Sequence, residues 1–164
     1  MKWIRGFLTA ALLLIFATGA WAAGTIVVAN DKKTTDQTGG IREISYTVTF
    51  GTDASSPANV ALDSILRSNS TAASTLGGWW LLRVEVYYGS TGPTDNTDMY
   101  LYKGTGANKA DILGSNGENA IDNATNTAFY PATVSQPLLG DEILSFANNA
   151  VNDATFTLIL TLYK

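Results

Sequence analysis

The chain has 164 residues, 46% of them hydrophobic and 15% charged, with a formal net charge of −4. It contains neither cysteine nor histidine, which excludes disulfide staples and removes the commonest general base and transition-metal ligand. No basic patch is present to neutralise phosphates, so nucleic-acid binding is disfavoured.

The first 22 residues have the layout of a secretory signal peptide. Lys2 and Arg5 form a basic start, Phe7 to Ala17 is an apolar run of 11 residues, and "AWA" (Ala20 to Ala22) fits the small-x-small cleavage pattern. The run is shorter than the roughly 20 residues of a bilayer span. No second run follows, so no membrane association is expected after cleavage. Residues 1–22 are therefore read as a signal helix and 23–164 as one domain. Setting Lys2 and Arg5 aside leaves eight basic against 14 acidic side chains, a formal charge of −6. A periplasmic or extracellular place is expected.

The domain opens with a strand at "GTIVVAN" (Gly24 to Asn30), followed by the polar loop "DKKTTDQTGG". "IREISYTVTF" (Ile41 to Phe50) alternates strictly: Ile44, Tyr46, Val48 and Phe50 face a core, while Glu43, Ser45, Thr47 and Thr49 face water. In "NVALDSILRSNSTAAS" (Asn59 to Ser74), Leu62, Ile65 and Leu66 have helical spacing. An irregular crossover between two sheets is slightly preferred there over a short helix.

"GGWWLLRVEVYY" (Gly77 to Tyr88) is a strand. Trp80, Leu82, Val84, Val86 and Tyr88 form its expected apolar face, and Trp79, Leu81, Arg83, Glu85 and Tyr87 a face that is solvated or half covered by a neighbouring subunit. "GSTGPTDNTD" reads as the tip of a hairpin leading into the strand "MYLYKG". A short apolar piece at Ile112 and Leu113 precedes a polar excursion, and a strand follows around Glu142 to Ala147. "ATFTLILTLYK" sets Phe156, Leu158, Leu160 and Leu162 on one face. Seven or eight strands with recurrent turns predict an all-β fold, an antiparallel β-sandwich or jelly roll.

No catalytic set emerges. Without histidine the usual nucleophile–base pairs are missing, and no carboxylate pair stands out among residues that also stabilise turns. The protein is expected not to be an enzyme and to need no cofactor. Asp95 and Asp98 in "DNTD" supply hard oxygen ligands, but the stretch lacks the length and closing Glu of an EF-hand loop, so a turn is favoured over a metal site. Trp79, Tyr100 and Tyr102 are the candidate ligand-binding aromatics, because rings along an open sheet can stack on sugars. The competing reading puts them in the core or a subunit contact. Asn69–Thr71 and Asn123–Thr125 match the glycosylation pattern and carry no weight in Asn/Thr-rich loops.

Two long stretches, "GSTGPTDNTDMYLYKGTGANKADILGSNGENA" and "YPATVSQPLLGDEILSFANNAVNDATFTLILTLYK", resemble small β-rich virion-associated proteins of tailed bacteriophages and prophages. "GGIREISYTVTF" is similar to their early strand, so the resemblance covers residues 39–164. It implies a non-enzymatic decoration, head-fibre or tail-type component of a virion. The signal-like N-terminus departs from that pattern and suits a bacterial surface or secreted protein using the same fold. The expected function is an exported structural protein that acts by assembly or surface attachment, with self-association through strand edges and Thr-rich faces. The alternative is a secreted carbohydrate-binding module.

Overall fold

The computed structural model describes residues 23–36, 39–69, 75–104, 109–132 and 137–164. The expected signal segment 1–22 lies outside them, as do Ser70 and Thr71 of the first glycosylation match. Among the described residues are nine strands: β1 (Thr25–Asp36), β2 (Gly39–Thr49), β3 (Val60–Ala61), β4 (Trp80–Tyr88), β5 (Asp98–Lys103), β6 (Ala110–Asp111), β7 (Thr127–Phe129), β8 (Ile143–Ala147) and β9 (Thr155–Tyr163). One helix, α1 (Leu62–Asn69), and a 3-10 turn (Gly114–Gly117) complete the elements. The strands form a five-stranded sheet ordered β1-β2-β9-β4-β7 and a four-stranded sheet ordered β3-β8-β5-β6. Every strand pairing is antiparallel. This is the expected β-sandwich.

Alternation in β2 and β9 dictates the larger sheet. Their registered pairs Ile44↔Leu160, Tyr46↔Leu158 and Val48↔Phe156 stack the apolar faces side by side, and all six of these side chains are buried. Each burial is worth roughly 1.5–3 kcal/mol. Phe50, Phe146 and Phe156 join the two sheets, with ring centroids 5.4–6.2 Å apart. Edge-on and tilted contacts of this kind suit the ring quadrupoles.

Four local expectations are corrected. First, β1 continues through Lys32–Asp36, where a polar loop was expected. Asp31 to Asp36 pair with Ile44 to Gly39 beyond a bulge at Ala29. An edge strand with one ladder partner accepts polar residues, and its lysines discourage further pairing.

Second, Asn59–Ser74 contains a helix. Leu62, Ile65 and Leu66 are its buried stripe, and α1 itself forms part of the crossover from the smaller sheet to the larger.

Third, the faces of β4 are exchanged at its start. The pairing with β9 slips between Leu81 and Arg83, so Leu81 faces Leu162 and Arg83 faces Thr161. One extra residue reverses the parity of everything before it. Trp79 and Leu81 are therefore buried, Leu82 is exposed and Trp80 is half-buried on the outer face. At the far end Tyr88 is exposed instead of closing the core face.

Fourth, "GSTGPTDNTD" is not a hairpin tip. β4 and β5 belong to different sheets, and the segment is a corner between them. Its polar residues fasten it: the Thr94 amide donates to Asn149 Oδ1 at 3.1 Å, the Ala150 amide to Thr94 Oγ1 at 2.7 Å, and the Asn123 amide to Asp95 Oδ1 at 3.1 Å. Asn96 takes the left-handed conformation, with φ +67°.

Candidate functional site

The predicted aromatic residues divide between two places. Trp79 lies at the end of the core, 9% exposed, with the Arg42 guanidinium 5.8 Å from its ring centroid. Arg42 is wholly buried, and its Nε and Nη2 donate to the Asp31 carboxylate at 2.9 and 2.8 Å. Its Nη1 donates to the Thr75 carbonyl at 2.7 Å. Trp79 is thus part of a buried buttress and is not a surface platform. Burial also pushes the nearby Tyr46 hydroxyl far above its ordinary range, partly opposed by Arg42.

Tyr100 and Tyr102 sit together on the outer face of β5, half-buried, because Met99 and Leu101 take the inward positions. Their rings stack with centroids 5.4 Å apart and planes 8° from parallel. The Lys109 ammonium stands 3.8 Å from the Tyr102 centroid. The gap between the rings is too narrow to hold it, so it covers the other face of Tyr102. Tyr102 thus already has a parallel ring and an ammonium as contacts. The Tyr100 hydroxyl donates to Asp98 Oδ2 at 3.0 Å, and its pKa is pushed up to about 12, first by burial and then by that bond.

Asp98 is 7% exposed and also accepts from the Asn119 amide at 2.8 Å and Asn148 Nδ2 at 2.6 Å. These bonds tie β5 to two loops. The Asp95 carboxylate serves the Asn123 amide, as described for the corner. Of the two carboxylates of "DNTD", Asp98 is filled by three donors and Asp95 Oδ1 by one, and no cluster of three or more Asp, Glu, His or Cys side chains able to hold a metal occurs among the described residues. Asp111 is another structural acceptor. Its Oδ1 takes the Leu101 and Leu113 amides at 3.0 and 3.1 Å, while burial raises its pKa against those bonds.

The open surface is the outer face of the larger sheet. Register places its side chains in rows across the strands: Thr49 with Thr155, Val27–Thr47–Thr157–Tyr87, Ser45–Ile159–Glu85, Lys32–Glu43–Thr161–Arg83, and Ile41–Tyr163–Trp80. Charges balance within the face, because Lys32 opposes Glu43 and Arg83 Nη2 donates to Glu85 Oε1. The Tyr87 hydroxyl donates to the same oxygen at 3.1 Å, and this bond raises its pKa. At the sheet end the Trp80 and Tyr163 rings lie 6.1 Å apart, tilted by 26°. Val27, Ile41, Tyr87 and Tyr163 are all exposed large hydrophobic side chains.

Trp79 stands out over Trp80 in the sequence because the bulge is invisible there, and Tyr163 lies at the end of a core-facing strand. The signal for Tyr163 was parity: it is odd-numbered on a strand whose even positions from Phe156 to Leu162 are apolar. The chain matches no protein-family model, no curated protein and no solved structure.

Proposed function

We propose that the protein is a non-catalytic, exported contact protein that assembles or attaches through the outer face of its larger sheet. One observation carries the reading: a broad, charge-balanced sheet face, rich in threonine and exposed aromatics, has no second layer of described elements packed on it. The buried and half-buried carboxylates support it, since Asp31, Asp98, Asp111 and Glu142 all accept hydrogen bonds from the protein's own groups. The resemblance of residues 39–164 to virion-associated proteins supports assembly as the mode, with a virion as one setting. The N-terminal layout supports export.

Sedimentation velocity of the purified protein over a wide concentration range tests the assembly mode. Self-association is expected, and Thr47→Lys should abolish it by placing a charge in the middle of the face. A monomer at every concentration, or an oligomer indifferent to Thr47→Lys, would refute assembly through this face. Terminal sequencing and recovery from periplasm, medium or pelleted particles test the setting.

A further inference from the structure

We infer that the β4 side of this face is a binding strip for a neutral polysaccharide chain. The inference rests on reading the outer face as the contact surface and names its ligand. The strip begins at the Trp80–Tyr163 pair, passes Arg83 and Glu85, and ends at Tyr87. Measured along β9 from Tyr163 to Thr157, it spans about 20 Å at roughly 3.4 Å per residue. That length holds several sugar rings in extended conformation.

The chemistry is divided as an extended glycan requires. Rings with exposed surface stand at both ends, where the apolar faces of pyranoses can stack. Between them lie a guanidinium and a carboxylate, which pair with sugar hydroxyls. The Arg83 side chain is 44% exposed beside Glu85, which leaves part of the guanidinium open to a ligand on the face. Its Nη2 and the Tyr87 hydroxyl converge on one carboxylate oxygen, Glu85 Oε1.

Charge selects among ligands. Arg83 is offset by Glu85 within the strip, and the chain's net charge of −4 opposes a polyanion. A neutral chain loses least on binding. The other aromatic pair stands on the smaller sheet, away from this strip, and its Tyr102 ring already contacts Tyr100 and Lys109.

The test is titration of the purified protein with hexasaccharides of glucose, mannose, xylose and N-acetylglucosamine, read by tryptophan fluorescence and by calorimetry. One of them is expected to bind with a fluorescence change. Trp80→Ala and Tyr163→Ala should each weaken that binding at least tenfold, while Tyr102→Ala leaves it unchanged. Tyr87→Ala provides a second check at an exposed position outside the core. No binding to any of the four would overturn the inference, as would binding that survives both Trp80→Ala and Tyr87→Ala. Self-association lost in Thr47→Lys without any glycan binding would overturn the ligand while leaving the contact face standing. Glycan binding by a protein that never self-associates would do the reverse to the assembly mode.

Discussion

Replacing Arg42 by methionine tests the buried buttress at the end of the core. The guanidinium is completely buried, whereas the Asp31 side chain is 19% exposed. Removing one partner of a buried ion pair costs about 3–5 kcal/mol, because the remaining charge is left uncompensated. Water can reach Asp31 in part, which places the expected loss near the lower end, about 3 kcal/mol. The Thr75 carbonyl also loses its charged donor, but Thr75 is exposed and water can replace that bond, so it adds little. Methionine keeps much of the stem packing beneath Trp79, so little of the loss should come from a cavity.

Urea unfolding measures the effect as a lower midpoint at constant slope. The double variant Asp31→Leu with Arg42→Met should recover to within about 1 kcal/mol of the parent, because an apolar pair replaces both charges. A loss below about 1 kcal/mol in the single variant, or a double variant no better than the single, would refute the account.

Three further outcomes are expected. Leu160→Ala should cost about 2–5 kcal/mol while Thr161→Ala, on the opposite face of β9, stays within about 0.5 kcal/mol in the same denaturation assay. Stability should fall in alkali. Tyr100 titrates near 10 when unfolded and is raised to about 12 when folded, so its contribution is complete below pH 10 and is lost as pH rises towards 12. Tyr100→Phe should flatten the alkaline limb of the thermal-melt profile, and an unchanged limb would count against it. Gly140 has φ +94°, and a Cβ there would strike the Asp63 carboxylate, so Gly140→Ala should destabilise by more than about 1 kcal/mol in thermal melts.

Where the chain alternates without interruption, sequence and structure agree residue by residue. Ile44 to Phe50 and Phe156 to Leu162 are read correctly because a buried face permits one register only. The misreadings each have a physical source. At Leu81–Arg83 a bulge inserts one residue, and both parities of "WWLLRV" look equally apolar before it. In β1, Lys32 to Asp36 carry no apolar signal because an edge strand needs none. At Gly89–Thr97 the same Gly, Pro, Asn and Asp residues would serve a hairpin or a sheet-to-sheet corner, so local turn chemistry could not choose. The open face was partly legible, since Arg83, Glu85 and Tyr87 were placed on it. Its aromatic anchor was not, because Trp80 was assigned to the wrong side.

The position of β9 has a consequence for how the molecule is made. It lies at the centre of the larger sheet, between β2 and β4, yet follows all of its sheet neighbours in the chain. While the ribosome is still upstream of Thr155, the β1–β2 hairpin and β4 with β7 are two fragments with no shared ladder. Their apolar faces have nothing between them to join. The larger sheet therefore closes as a late event of high contact order, after nearly every other element has emerged. A nascent chain of this design stays open until then, which is the state in which a polypeptide can be threaded through a translocation pore or held by a chaperone.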